Sequence, residues 1–222
     1  MTGNPRAEFD RLFSKIVDEV LILGGLVELA IRGAENCLQN RDGVLAQEVV
    51  NNDDEINALR FSIEEDCLRL IATQQPAAGD LRNVVAAMNI AVDLERMGDH
   101  AAGIAKTVIL MGDQPLLKPL IDIPRMVQVA LEMLRESLKA FVERDAESAK
   151  AVAPRDDEID YLYKAVFDEL VQIMAHNPDG VERATYLLWT AHNLERIGDR
   201  VTNIAERIVF MSTGDMKELN LK

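Results

Sequence analysis

Two acidic pairs at helical spacing are the residues of this sequence best suited to chemistry. Glu95 and Asp99 lie four residues apart, and Glu195 and Asp199 repeat the spacing one hundred residues later. Four residues is about one turn of an α-helix, so both carboxylates of a pair project from one face. Each pair also interrupts or borders an apolar seam, where uncompensated acids require protons, arginines or a cation.

A second acidic motif precedes each pair. Asp53 lies one turn before Asn57, and Asp156 lies one turn before Asp160. If neighbouring helices pack antiparallel, as short turns favour, each half gathers four oxygen donors at one place. Oxygen-only ligands suit hard cations, so the pattern predicts Mg, Ca, Mn or Fe, with Zn less natural. The predicted metal ligands are Asp53, Asn57, Glu95, Asp99, Asp156, Asp160, Glu195 and Asp199.

Structural salt bridges are the alternative interpretation of these acids. Arg96, Arg196 and Arg200 are near enough in sequence to neutralise them, and spaced acids on a helix often form only a solvated face. Gly98 and Gly198 favour a special arrangement, because glycine within a helix costs roughly 1 kcal/mol relative to alanine. Close approach of another helix, or room for a ligand, would explain that cost.

Helical periodicity extends through nearly the whole chain, so the predicted fold class is all-α. Apolar residues from Phe9 to Cys37 recur at steps of three and four, and similar stripes follow in later segments. Pro115, Pro119 and Pro124 predict a junction at residues 113–124. No alternating strand pattern of useful length interrupts the helices.

An internal repeat divides the chain into two units of three long helices. The letters LERMGDH at 94–100 recur as LERIGDR at 194–200, and DDEINAL at 53–59 recurs as DDEIDYL at 156–162. Two motifs repeated in the same order imply a duplicated three-helix unit. The predicted domains are residues 1–112 and 125–222.

Composition excludes several classes of function. The 222 residues carry a net charge of −14, which repels nucleic acid and anionic membrane surfaces. No apolar stretch has the length of a signal peptide or a spanning helix, so we expect a cytoplasmic protein without membrane insertion. We identify no catalytic residue and no organic cofactor motif, and we therefore expect that the protein is not an enzyme.

The paired motifs, together with QQPAAGDLR at 74–82, resemble the PhoU family over about residues 8–211. The resemblance implies two three-helix bundles, often as a homodimer, and a negative regulator of the phosphate-starvation response. Members of that family couple the ATPase subunit of a phosphate ABC transporter to a sensor histidine kinase. Some members bind metal clusters through carboxylates of this spacing, which would use the acids named above. Asn57 departs from the carboxylate pattern, so the first site is expected to hold a cation less strongly than the second.

A carboxylate-bridged redox metalloprotein is the main alternative from another class, because helical bundles with inward acids also host iron. The absence of a Glu-x-x-His motif argues against it. Phosphate binding by the protein alone is not expected, since no arginine cluster or glycine-rich anion cradle is present. Phosphate could instead reach the protein as a ligand of a bound metal.

Overall fold

The structure is a computed structural model that describes residues 5–215 and 218–219. It confirms the all-α prediction, because the described residues form helices and no β-strand. The first repeat comprises α1 (Pro5–Asn40), α2 (Gly43–Gln74) and α3 (Gly79–Met111). The second comprises α4 (Asp122–Glu143), the short α5 (Ala146–Val152), α6 (Asp156–His176) and α7 (Val181–Thr213). The outer limits of the predicted domains, residues 1 and 222, lie outside the described residues.

The apolar stripe predicted for α1 faces the core. Most of its members are fully buried, and the helix runs without a break through Gly24 and Gly25. Gly24 is a site of close packing, since a β-carbon there would collide with Leu138 of α4. The glycine therefore lets the first helices of the two repeats approach each other.

The residues Asn40, Arg41, Asp42 and Gly43 predict a turn with Asp42 as the cap of the next helix, and this turn forms between α1 and α2. Arg41 adopts a left-handed conformation with φ of 57°, and Asp42 caps α2 by accepting hydrogen bonds from Val44 N and Leu45 N. The second repeat uses the same device, because Arg144 has φ of 53° and Asp145 caps α5. This cap supplies partners for backbone N–H groups that a helix start leaves unpaired.

The proline-rich junction is shorter than predicted. Helix α4 begins at Asp122, so Pro124 lies in its first turn instead of in the connection. A first-turn proline is tolerated because its missing N–H would have no partner within the helix. From the sequence, Pro154 is expected to kink or start the middle helix of the second repeat, and it falls in a 3-10 turn between α5 and α6.

The two third helices, α3 and α7, form the centre of the molecule. Helix α3 packs against α1, α2 and α7, whereas α7 packs against α3, α4, α5 and α6. Buried residues of both repeats form one continuous hydrophobic core. Consequently α3 is buried on most of its circumference. Helical spacing in the sequence places Leu81 and Ile109 at the two ends of its apolar seam, but both are exposed in the structure.

None of the helices in the described part of the chain is both long enough and apolar enough to cross a membrane.

Candidate functional site

The two acidic motifs of each repeat meet where the second long helix crosses the third. In the first repeat, a β-carbon on Gly98 of α3 would lie 3.4 Å from Asp53 Oδ1 and 3.0 Å from Ile56 Cδ1 of α2. In the second, a β-carbon on Gly198 would lie 2.5 Å from Asp156 Oδ1 and 2.9 Å from Ile159 Cδ1. Close helix approach, which was one of the two explanations for these glycines, is therefore correct.

Asp53 places one carboxylate oxygen in the interior of the first repeat. Its Oδ1 is buried and has no hydrogen-bond partner among the described residues, while Oδ2 accepts a hydrogen bond of 3.0 Å from Asn57 Nδ2. Burial raises the pKa of Asp53, and the nearby charge of Asp99 raises it further. The amide of Asn57 thus stabilises the carboxylate of Asp53. In the second repeat the position of Asn57 is taken by Asp160.

Glu95 is the most buried acid of the paired motif, with 8% of its surface exposed. Its Oε2 forms an ion pair of 3.6 Å with Arg96 Nε but accepts no hydrogen bond from the described residues. Burial is the largest cause that raises the pKa of Glu95, followed by the charge of Asp99, while Arg96 opposes both. A buried carboxylate without full compensation is costly, and a cation would relieve that cost.

Glu195 repeats this situation in the second half. Burial, followed by the charge of Asp199, raises its pKa, and its Oε2 accepts no hydrogen bond from the described residues. The imidazole Nδ1 of His192 lies 3.5 Å from that oxygen. Asp156 on α6 is only 1% exposed, and Asp160 is partly buried one turn further along the helix.

Arginines hold the outer acids of the two pairs. Arg96 Nη1 donates to Asp99 Oδ2 at 3.1 Å, and Arg196 Nη1 donates to Asp199 Oδ2 at 2.7 Å. These contacts belong to the salt-bridge alternative considered from the sequence. The arginines thus pair with the outer acids, while one oxygen each of Glu95 and Glu195 accepts no hydrogen bond from the described residues.

In each repeat the predicted ligands lie near one helix crossing, but they do not form a coordination sphere. Among the described residues, no three carboxylate, imidazole or thiol groups are grouped closely enough to hold a metal ion. The donor set nevertheless fits a hard cation in its chemistry, because it consists of oxygen atoms with partly uncompensated charge. Arg96 and Arg196 each pair with one oxygen of Asp99 and Asp199, so a cation would compete with them for those two oxygens.

An open groove of about 350 Å³ adjoins the acids of the second repeat. Its lining mixes carboxylates with arginines, and it is reached from solvent along α7. The charged residues that line it are Asp156, Arg196, Asp199, Arg200, Glu206 and Glu218. A ligand in this groove would meet both signs of charge.

A polar contact between α3 and α7 was missed in the sequence. Asp93 of α3 lies 3.4 Å from both Arg200 Nη1 and Asn203 Nδ2 of α7. At the equivalent position on α7, Asn193 Oδ1 lies 3.0 Å from His100 Nδ1 of α3. The two contacts relate equivalent positions of the repeats, so α3 and α7 cross antiparallel about a pseudo-twofold axis. The one available signal was a polar residue, Asp or Asn, two positions before the acidic pair of each repeat.

Comparison with known proteins shows that both repeats match the same protein family. The family model described as the PhoU domain matches residues 20–108 and again residues 123–208. A PhoU homologue from Clostridium acetobutylicum, named as a phosphate-specific transport system accessory protein, is 37% identical over 97% of this chain and 99% of its own length. A protein of the same name from Pseudomonas aeruginosa is 34% identical over 100% of this chain and 92% of its own length.

Solved structures share the fold over nearly the full chain. The crystal structure of the phosphate transport system regulatory protein PhoU from Streptococcus pneumoniae superposes with a TM-score of 0.88 and 34% identity, covering 94% of this chain and 99% of that one. The crystal structure of PhoU from Pseudomonas aeruginosa superposes with a TM-score of 0.89 and 35% identity, covering 93% and 100%.

Proposed function

The chain belongs to the PhoU family, and we propose that it is an accessory and regulatory protein of a phosphate-specific transport system rather than an enzyme. The observation that carries this proposal is the match of both repeats, in order and over nearly the full length, to relatives named for that role. The named relatives are accessory or regulatory proteins, which supports the absence of catalysis.

At a finer level, we propose that the protein acts in the cytoplasm as a negative regulator of the phosphate-starvation response. It would link the ATPase subunit of a phosphate ABC transporter to a sensor histidine kinase, as a homodimer. Long helices supply rigid faces for such an adaptor, and a net charge of −14 speeds its encounter with basic surfaces on protein partners.

We further propose that each of the two acidic sites binds a divalent or iron-type cation. The supporting observation is the set of buried carboxylate oxygens of Asp53, Glu95 and Glu195 that accept no hydrogen bond from the described residues. A bound cation would supply positive charge at the α2–α3 and α6–α7 crossings. The residues of the chain would hold it through oxygen atoms and would position it against the central helices.

A phosphate-starvation reporter tests the regulatory role. It is measured in phosphate-rich medium in cells of the source organism that lack the protein, and in the same cells with the protein restored. We expect high reporter activity without the protein and silencing on restoration. A reporter that stays silent in both strains contradicts negative regulation by this protein.

The acidic sites are tested in the same cells. Alanine replaces the four acids of the paired motifs, namely Glu95, Asp99, Glu195 and Asp199. Loss of silencing with normal protein abundance would show that signalling requires the sites. The variant Glu65→Ala, an exposed acid on α2, is the matched control and should silence the reporter as the unchanged protein does. Oxygen consumption by iron-loaded protein would instead favour the redox alternative.

A further inference from the structure

Helices α1 and α2 leave an apolar groove between them on the surface of the first repeat. Its volume is about 240 Å³, and Leu29 on its edge is 67% exposed. Acidic and amide side chains form its α2 side. The floor and wall residues are Leu26, Leu29, Ala30, Gly33, Leu45 and Val49, and the polar residues are Glu48, Asn52 and Glu55.

The second repeat provides an internal comparison, because its first two elements correspond to the first repeat at a constant offset of about 103 residues. The capping pair Arg41 and Asp42 corresponds to Arg144 and Asp145. The buried positions of α1 also have buried counterparts on α4. Examples of such pairs are Leu23 with Met126, Val27 with Ala130, Ile31 with Leu134, Ala34 with Ser137 and Leu38 with Phe141.

Salt bridges cover the corresponding place in the second repeat. Arg155 pairs with Glu132 at 2.6 Å and with Glu136 at 2.7 Å, and so links the segment before α6 to α4. Arg125 pairs with Glu158 at 2.6 Å and forms a second link between the same elements. The arginines on this face of the second repeat are therefore paired with glutamates of the same repeat.

The first repeat lacks the residues that make those links. Leu29 and Gly33 stand at the positions of Glu132 and Glu136, and Asn52 stands at the position of Arg155. Ile22 replaces Arg125, so its side chain offers no charge to Glu55, the counterpart of Glu158.

Two acids are consequently left on the rim of the groove. Glu48 and Glu55 form no salt bridge and no side-chain hydrogen bond within the described part of the chain, and both are exposed. The α2 segment from residue 43 to residue 59 contains four acids and no basic residue. An exposed apolar surface rimmed by unpaired acids has the composition of a protein interaction site for a basic partner.

We propose that this groove binds an amphipathic helix of a partner protein, with an apolar stripe on one face and arginine or lysine beside it. The apolar stripe would cover Leu26, Leu29 and Leu45, and the basic residues would pair with Glu48 and Glu55. Leu45 and Ile56 bracket the groove along α2, a distance of about 16 Å at 1.5 Å per residue, which matches roughly three turns of a bound helix. The partner would thus supply the charges that Arg125 and Arg155 supply within the second repeat.

A second copy of the chain is a poorer occupant of the same groove. In a symmetric contact each surface patch meets itself, so Glu48 and Glu55 of one copy would face the same acids of the other. Like charges brought together at an interface cost free energy and oppose association. The asymmetry between the repeats supports a heterologous basic partner, and it does so independently of any role in phosphate transport.

Peptide binding to the full chain tests the proposal. The probe is a fluorescent peptide of 16 residues. Its leucines recur at steps of three and four residues, so that they form one stripe on a helix, and arginines lie on both sides of that stripe. A peptide of identical composition, shuffled to remove the apolar stripe, controls for net charge. Binding is followed by fluorescence anisotropy at about 0.15 M salt, where long-range attraction between exposed charges is largely screened.

Two groove variants and one matched control accompany the probe. The triple variant Ile22→Arg, Leu29→Glu and Asn52→Arg rebuilds the counterparts of the Arg125–Glu158 and Arg155–Glu132 links and should weaken binding at least tenfold. Glu55→Lys should also weaken it at least tenfold, whereas Glu65→Lys, the same charge change at an exposed site of α2 outside the groove, should leave it unchanged. Circular dichroism and unfolding midpoints establish that each variant is folded.

Several outcomes would overturn the proposal. They are equal binding of the striped and shuffled peptides, no binding to the unchanged chain, and undiminished binding to the triple variant. A dimer in sedimentation that dissociates only in the triple variant would assign the groove to a second copy instead. The reporter assay measures phosphate signalling, so this proposal and the proposed function can fail separately.

Discussion

Gly198 leaves the space that the buried carboxylate of Asp156 occupies, because a β-carbon at position 198 would lie 2.5 Å from Asp156 Oδ1. The equivalent contact in the first repeat is looser, since a β-carbon on Gly98 would lie 3.4 Å from Asp53 Oδ1. The carboxylate therefore lies closer to the central helix in the second repeat, whereas the isoleucine contacts of 3.0 Å and 2.9 Å are nearly equal. Glycine at these positions allows a carboxylate to lie directly against the backbone of the central helix.

The closer carboxylate contact predicts unequal effects of the two glycine-to-alanine substitutions. Gly198→Ala should lower the free energy of unfolding by about 1–3 kcal/mol, because overpacking against Asp156 and Ile159 exceeds the roughly 1 kcal/mol gained in helix propensity. Gly98→Ala should be close to neutral, since its nearest contacts are 3.0 and 3.1 Å and involve the side chain of Ile56. Urea unfolding of both variants measures the difference, and equal losses would contradict it.

The ion pair between Glu28 and Arg135 joins the first helices of the two repeats. Arg135 Nε donates to Glu28 Oε2 at 2.9 Å, and this hydrogen bond is the main cause that lowers the pKa of Glu28. An acid whose pKa is lowered by folding contributes stability above its unfolded pKa and loses it as pH falls through the folded value.

Glu28→Gln should therefore destabilise the protein at neutral pH and have no effect in acid. The expected loss is at most about 1 kcal/mol, because Arg135 is half exposed and water screens the pair. The loss should shrink as pH falls below the ordinary glutamate pKa of 4.5 and vanish once Glu28 is protonated in the folded state. Unfolding midpoints between pH 7 and pH 3 measure this trend. Glu143→Gln, whose partner Lys139 lies 4.0 Å away, is the control and should change little.

The sequence predicted local features well because short-range chemistry determines them. The Asp42 cap and the break at Pro154 depend on neighbouring residues, and both are present. The contact of Asp93 with Arg200 joins residues 107 apart, and no spacing rule along the chain identifies such a pair. The repeat did predict that the acids of each half lie near one helix crossing. The sequence offered arginine salt bridges only as an alternative for these acids, because rotamers decide after the helices have packed which acid each arginine pairs with.

Both cysteines should be unreactive in the folded protein. Burial raises the pKa of Cys37 to about 11 and that of Cys67 to about 12, and each thiol donates to a backbone carbonyl. Only the thiolate attacks disulfide reagents, so little reactive species exists at pH 8. Titration with Ellman's reagent should detect no thiol in the native protein and two after denaturation in guanidinium. Rapid reaction of one thiol without denaturant would show that one of these helix contacts opens.

Metal loading should distinguish the two acidic sites. Asp160 offers a carboxylate where the first repeat has the amide of Asn57, so the second site should bind a hard cation such as Mn²⁺ more tightly. Glu195→Gln with Asp199→Asn should remove the tighter class of bound metal, whereas Glu95→Gln with Asp99→Asn should remove the weaker class. The control Asp179→Asn with Glu182→Gln alters one acid in the turn before α7 and one in its first turn, and it should leave both classes intact. Equilibrium dialysis followed by elemental analysis measures the stoichiometry of each. Absence of stoichiometric metal in the unchanged protein would contradict the metal sites. The acidic pairs would then be explained by salt bridges alone, since Arg96 and Arg196 already pair with Asp99 and Asp199.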